Sequence, residues 1–400
     1  MRVLHVIPSV SERSGGPGLA IVPMCRALQE QGTEVMVATT DEGLNGDQIS
    51  MGTPTNYKGI PAVFFPAQLG NSFKYSRPLT VWLNANVRDF ALVHIHAVFN
   101  HASIAAARTC RKQGVPYIVR PLGTLDPWSM KQKSLRKSMY WHLAGRRMLV
   151  DAAAVHYTSL AEQEATEQSL GLAHGTVVPL GFNVEFDDTH FEQNQFANEF
   201  PEIATNRYVL VLSRLLPTKG LDALLDAFLP LVKQAEFSSW RLVFAGEGPE
   251  EYVGALRRKV ATHGLENSVL FPGWLDGERK NTFLRQASLL ALPSYHENFG
   301  LCVMEALAFG VPVLVSPHVH LAEDILTAGG GWLADVEKES IEVTLKEVFR
   351  SDAERARRGL AGKEFSRRFT WRNIAGQLIV VYSQLLAERA EPQSQVIVHA

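Results

Sequence analysis

Four hundred residues exceed what one domain needs, and 46% AVILMFWYC is ordinary for a chain with large cores. No apolar run reaches the length of a membrane span, and the start, Met1-Arg2-Val3-Leu4-His5-Val6-Ile7-Pro8, lacks a signal-peptide h-region, so it reads as a first strand. The net charge of −2 hides an asymmetry: fourteen Lys/Arg and four acids lie between Gly43 and Ala161, a net of +10, so the rest carries −12. Such a block implies an acidic partner, an anionic membrane surface, or pairing with the acidic remainder. Cys25, Cys110 and Cys302 stand far apart, with no disulfide or metal-ligand spacing. That fits a reducing cytoplasm and no metal site.

The first half alternates strands and helices. Val3–Ile7 is a predicted strand, Gly18–Gln31 an amphipathic helix closed by Gly32, and Val35–Thr39 the next strand. Between the first strand and its helix lies Ser14-Gly15-Gly16-Pro17-Gly18. Glycines there let backbone N–H groups approach a phosphate or a sugar; a plain tight turn would use the same residues. Ala91–His96 is a buried strand, and alternation puts His94 and His96 on one face. His96, nearer the strand end, is the better candidate to touch a ligand, with a satisfied structural histidine as the alternative. Helix Ser103–Gln113 and strands Tyr117–Val119, Val155–Tyr157 and Thr176–Val178 complete the set.

Lys131–Leu149 is basic and helical in pattern, with Leu135, Met139, Leu143 and Met148 at near-helical spacing. Such a helix with a tryptophan, Trp141, can lie on anionic lipid; it can equally pack on a core with a solvated basic face. Residues 186–206 are polar without a clear period and read as a linker between domains 1–185 and 207–371.

A second alternation follows: Tyr208–Leu212, helix Leu221–Val232, Arg241–Ala245, helix Glu250–His263, Val269–Pro272, helix Gly277–Gln286, Ser288–Leu292, helix Leu301–Phe309 and Val313–Ser316. Strands separated by helices imply parallel sheets, and the fold class is α/β. Arg214 and Lys219 lie five residues apart on a strand-exit loop, close enough to reach one phosphate group. A cation at a helix start is otherwise mildly unfavourable. Ala245-Gly246-Glu247-Gly248-Pro249 is a glycine-rich turn, and Phe271-Pro272-Gly273-Trp274-Leu275 follows the next strand.

The most informative stretch runs from Ser294 to Val313. Glu297 sits in the loop after a buried strand and Glu305 in the following helix, at the crevice where open α/β sheets bind ligands. The N–H groups of Phe299, Gly300 and Leu301 at the helix start suit a phosphate, and two carboxylates suit hydroxyl groups. Phosphate plus polyol suggests a sugar nucleotide.

Strand, proline, Glu297, Asn298-Phe299-Gly300, Glu305, then Gly310-Val311-Pro312-Val313 resembles the E-x7-E segment of family 4 glycosyltransferases. The resemblance covers roughly Val3 to Glu388. It implies a GT-B fold, two Rossmann-like domains facing a central cleft, with a last helix at about 372–390 returning to the first domain. It implies a retaining, metal-independent hexosyltransferase, and the chain has no D-x-D. By the resemblance, Arg214 and Lys219 bind the donor diphosphate, Glu297 the donor-sugar hydroxyls and Glu305 the ribose. Gly15 and Gly16 belong to a donor loop, Gly246 lines the nucleotide pocket, and backbone near Leu275 meets the base. Asn298, Phe299, Gly300 and Leu301 complete the substrate-binding set, and His96 is carried as a catalytic candidate.

Family members often have His or Arg immediately before the glycine of the loop after the fifth strand; here that residue is Leu122. Arg120 or Asp126 is then the candidate base. The donor expected is a UDP-sugar such as UDP-glucose. The acceptor expected is a saccharide or lipid-linked saccharide, with residues 131–147 on an anionic membrane at the inner face of a cytoplasmic membrane, and no nucleic acid partner. A sugar-nucleotide epimerase of related fold and a non-enzymatic sugar-nucleotide-binding subunit are the alternatives.

Overall fold

The computed structural model describes residues 1–11, 16–44, 49–69, 73–131, 139–182 and 193–390. Gly15 and 132–138, the middle of the basic stretch, lie outside the described residues. The chain divides into two compact units, unit 1 being Met1–Gly181 with Phe369–Ala400 and unit 2 Phe182–Arg368. The expected α/β class is found in both.

Among the described residues, unit 1 holds eight strands: β1 (Arg2–Ser9), β2 (Glu34–Thr40), β3 (Thr55–Tyr57), β4 (Ile60–Phe65), β5 (Leu92–His96), β6 (Tyr117–Arg120), β7 (Ala154–Tyr157) and β8 (Gly175–Val177). They lie in the order β3-β4-β2-β1-β5-β6-β7-β8, and only β3 runs antiparallel to its neighbour. Central strands such as β5 and β6 are buried along their whole length, as a parallel sheet covered on both faces requires. Unit 2 holds β9 (Arg207–Leu212), β10 (Trp240–Ala245), β11 (Val269–Gly273), β12 (Leu289–Leu292), β13 (Val313–Val315) and β14 (Gly331–Leu333). Their order, β11-β10-β9-β12-β13-β14, is all parallel. This is the strand order of a dinucleotide-binding sheet, and it reverses between β9 and β12.

Two stretches that the sequence left open take definite form. Part of the expected linker is helical, at Gln193–Glu199 and Pro201–Ala204, because Phe196 and Phe200 pack edge-on against Phe283 of the same unit. Trp141 is buried in the core of unit 1 rather than displayed on a basic face. It opens a π-helical turn, Trp141–Gly145, that runs into the helix Arg146–Val150. Of the basic residues there, Arg147 is exposed and pairs with Asp151.

The helix Trp371–Ala390 returns to unit 1. Gly181, at the end of β8's exit, has no room for a Cβ because Trp371 would stand 2.4 Å from it. Beneath this helix the sheet carries a polar strip. Register puts His5, His94, His96, Arg120 and His156 on one face, and all are buried. The hydrogen bonds fix the tautomers. His156 Nε2–H donates to the Val178 carbonyl at 2.7 Å, so its Nδ1 must accept, from His94 Nε2–H at 3.2 Å. His94 Nδ1 then accepts from the Tyr382 hydroxyl at 2.7 Å. His5 Nδ1 and His96 Nε2 form a second pair at 3.1 Å.

Burial first, then the Arg120 cation, pushes His5 and His156 down to about 3. His94 and His96 are lowered well below the usual range, by burial and then by their neighbours. The folded chain therefore keeps these rings neutral where the unfolded chain, with histidines near 6.5, takes up protons. Stability should be flat above pH 6.5 and fall below it, by about 1.4 kcal/mol per pH unit for each such histidine. Urea denaturation of the whole chain at about pH 7.5 and about pH 5 checks this; equal midpoints would contradict the neutral strip.

Candidate functional site

The best-formed candidate site lies at the C-terminal edge of the unit 2 sheet, where β9 and β12 diverge. Four strand-exit loops interlock there through their backbones. Ser213 N–H donates to Ala245 C=O at 3.1 Å, Leu215 N–H to Glu247 C=O at 2.8 Å, and Gly246 N–H to Gly273 C=O at 2.8 Å. Tyr295 N–H donates to Thr218 C=O at 2.9 Å, joining the β9 and β12 loops directly. Three glycines make this closeness possible. A Cβ would stand 2.0 Å from Pro293 O at Gly220, and 1.9 Å from Ser213 O at Gly246 or from Leu215 O at Gly248.

The interlock brings the expected residues together. Pro217–Lys219 form a single 3₁₀ turn, and Gly220, in the left-handed region at φ 68°, starts the helix Leu221–Val232. Lys219 Nζ reaches Glu297 Oε2 at 2.5 Å, with side chains 13% and 21% exposed. Glu297 is held in turn by its backbone: its N–H donates to His318 C=O at 3.0 Å, and its C=O accepts from His320 N–H at 3.1 Å. Arg214 is exposed, with no ion pair among the described residues. The sequence treated Lys219 as a diphosphate cation and Glu297 as a sugar contact; the structure pairs the two.

Glu305 has its own cation. Lys280 Nζ, from the helix Gly277–Gln286, donates to Glu305 Oε1 at 2.9 Å. Sequence reasoning missed Lys280, because a lysine in Gly-Glu-Arg-Lys at a helix start looks like any solvated one. The helix Leu301–Ala308 begins at Gly300, φ 71°, which has no side chain to cap it. Its first amides are therefore available to an anion. Phe299 is buried, and Asn298 Oδ1 lies 3.2 Å from His320 Nδ1, a second partner that the sequence did not signal. Leu275 is buried beside the Gly273 turn. The Cys302 thiol is pushed up to about 12, by burial first and then by Glu297 and Glu305, so it is a packed thiol and no nucleophile.

In unit 1, Gly16 opens the helix Gly16–Glu30 after β1. His96 does not face an open edge. Its side chain is fully buried, with Nε2 3.1 Å from His5 Nδ1 and Nδ1 without a hydrogen-bond partner among the described residues. His5, His94 and His96 each offer one ring nitrogen within 4.8 Å of the others, a spacing that a metal ion could use. Both His94 nitrogens are already committed, to Tyr382 and His156, and a buried Arg120 cation opposes a second positive charge. These histidines fit a hydrogen-bond network better than a metal site.

A model described as "Glycosyl transferase 4-like domain" matches residues 15–181, and one described as "Glycosyl transferases group 1" matches 192–365. Mannosylfructose-phosphate synthase of Agrobacterium fabrum is 32% identical over 181 residues, 44% of this chain and 40% of that protein. GDP-mannose:cellobiosyl-diphosphopolyprenol alpha-mannosyltransferase of Xanthomonas oryzae pv. oryzae is 23% identical over 96% of this chain and 97% of its own. Among solved structures, Anabaena HepE in complex with UDP and glucose aligns with TM-score 0.74 at 21% identity, covering 96% of this chain and 100% of that one, a likeness of fold. With both models matched in their order along the chain, and the expected GT-B class met, the chain belongs to the family 4 type of glycosyltransferases.

Proposed function

We propose that this chain transfers a hexose, with retention of configuration, from a nucleoside-diphosphate sugar to a saccharide acceptor that carries a phosphate or a lipid diphosphate. The observation that carries it is the pair of carboxylate–ammonium contacts, Lys219–Glu297 and Lys280–Glu305, beside the uncapped helix start at Gly300. Each pair holds one group suited to phosphate and one suited to hydroxyls. A bound nucleotide sugar would take the cations onto its diphosphate and free the carboxylates for sugar and ribose hydroxyls. Arg214, Lys219 and the first helix amides would then stabilise the departing nucleoside diphosphate by preorganised electrostatics. The UDP of HepE and the GDP-mannose of the Xanthomonas relative leave two bases in play for the assay.

The printed names of two relatives support the acceptor class, since mannosylfructose-phosphate and cellobiosyl-diphosphopolyprenol both bear phosphate. The basic surplus between Gly43 and Ala161 suits such an acceptor. No described helix is long and apolar enough to cross a membrane. A surface cavity of about 680 Å³ on unit 1 is lined by Met51, Phe65, Pro66, Gln68, Arg77 and Val81, and Met51 and Val81 are exposed. Apolar side chains beside a cation there support attachment to the inner face of an anionic membrane. A retaining transfer to a lipid-linked saccharide would then occur at the lipid surface.

Glu305→Ala should weaken binding of the free nucleoside diphosphate, while Glu297→Ala spares that affinity and lowers turnover. Calorimetry with UDP and GDP on both variants decides; equal loss in both would refute the division of roles. Arg214→Ala and Lys219→Ala should each cut turnover by about 10²–10³-fold, read with UDP-glucose and GDP-mannose against a polyprenyl-diphosphate-linked cellobiose. Either variant at wild-type rate would remove that residue from the diphosphate.

Activity should survive EDTA, because cationic side chains stand where a metal would otherwise neutralise the diphosphate. An absolute need for Mg²⁺ or Mn²⁺ would overturn this. Vesicle co-sedimentation at low salt should favour anionic over neutral lipid, with binding reduced by Met51→Ser/Val81→Ser. Absence of wild-type binding would point to a soluble acceptor.

A further inference from the structure

The turns after β5 and β6, at the edge of unit 1 where an open α/β sheet takes its ligand, hold backbone that side-chain-bearing residues rarely adopt. Ala97 has φ 69° and Leu122 has φ 60°. The two turns are joined, since Ala97 N–H donates to Arg120 C=O at 2.9 Å. Such conformations cost on the order of 1–3 kcal/mol each and persist only where the surroundings impose them. For the β5 turn, the Ser103 hydroxyl donates to Ala97 C=O at 2.8 Å and Asn100 caps the following helix.

The β6 turn is held by Glu162, whose side chain is fully buried. Gly123 N–H donates to its Oε1 at 2.6 Å, and Thr158 donates to its Oε2 from the N–H at 2.7 Å and the hydroxyl at 2.8 Å. Ser159-Leu160-Ala161-Glu162 has the spacing of a capping box, and Ser159 Oγ accepts from Glu162 N–H at 3.1 Å. In a capping box the glutamate turns back onto its own cap residue. Here one oxygen takes Thr158, one residue earlier, and the other reaches a loop 39 residues upstream. A helix cap needs no such reach. Three donors thus converge on one buried carboxyl group.

We propose that Glu162 is a positioning residue for glycosyl transfer: it clamps the Pro121–Asp126 turn in the strained form that the acceptor meets. The proposal rests on the proposed function, with the acceptor met by unit 1, which carries the basic surplus between Gly43 and Ala161. Glu162 itself touches no reacting atom. The turn conformation, set by Leu122 and Gly123, is what it controls.

Glu162→Gln keeps shape but turns one acceptor oxygen into a donor, so at least one arm of the clamp is lost. Hydrogen exchange at the Gly123 amide should speed up, and UDP or GDP affinity, which belongs to unit 2, should not change. Transfer to polyprenyl-diphosphate-linked cellobiose and to fructose 6-phosphate should fall about ten- to a hundred-fold in kcat/KM, chiefly through acceptor KM. Leu122→Gly, which adopts positive φ without cost, should restore part of that loss in the Glu162→Gln background.

Glu162→Asp, too short for Gly123 yet able to hold the local Thr158 contacts, should show the same acceptor-specific loss if the Gln variant does not fold. Normal transfer despite a faster-exchanging Gly123 would overturn the proposal. So would a parallel loss of nucleotide affinity without rescue by Leu122→Gly, the mark of a merely structural clamp. Wild type inactive on every probe would fault the proposed function instead, and unchanged Gly123 exchange in Glu162→Asp, too short to reach it, would then still refute the clamp.

Discussion

Lys219 reaches Glu297 because residue 220 has no side chain. At that point the loop leaving β9 passes over the carbonyl of Pro293, and a methyl group would stand 2.0 Å from its oxygen. Any other residue would lift the β9 loop away from the β12 loop and also forfeit the left-handed backbone at φ 68°. The Tyr295–Thr218 backbone bond, the ammonium–carboxylate contact and the direction of the following helix all depend on that approach. Gly246 and Gly248 repeat the device one strand further, against Ser213 and Leu215. The site edge is thus a braid of backbone, onto which a small number of charged side chains are fixed.

The charges gain from that fixing. Lys219 and Glu297 are mostly shielded, so their mutual attraction is screened less than that of a surface pair. Each holds the other in place at the edge of the sheet. Lys280 and Glu305 are arranged on the same plan from two neighbouring helices. Unit 1 follows a different logic at its equivalent edge, where strain at Ala97 and Leu122 is imposed by buried hydrogen bonds instead of by missing side chains.

Much of unit 2 was legible because its signals are local. Buried strands followed by glycine turns and apolar helices announce parallel crossovers, and Glu297-Asn298-Phe299-Gly300 with Glu305 marks the candidate site within nine residues. Elements with weaker local signals were missed. The β3–β4 hairpin turns at Lys58-Gly59, with φ 48° and 85°, a turn usually announced by Asn-Gly. Short β14 and the helix Arg77–Asn86 also escaped notice, the latter exposing much of its surface. Trp141 could not be assigned to core or lipid from spacing alone, since both readings share one periodicity. Lys280 looked ordinary until Glu305 stood beside it. The histidine strip was half visible: alternation aligned His94 with His96, but Tyr382 lies 288 residues away and no local pattern links them.

That separation has a consequence for how the molecule can be rearranged. The run of hydrogen bonds from Tyr382 through His94 and His156 to Val178 has one polarity, because each neutral ring can give only one proton. It works as a sentence does, with no word replaceable alone. The gene encodes its first donor after the whole of unit 2, so the C-terminal helix is grammatically part of unit 1. A chimera that exchanges residues 182–368 as a cassette leaves the sentence intact. A chimera that carries everything after residue 181 from a relative imports a new opening word, and inherits unit 1 only if that helix brings a hydroxyl to the place where Tyr382 stands.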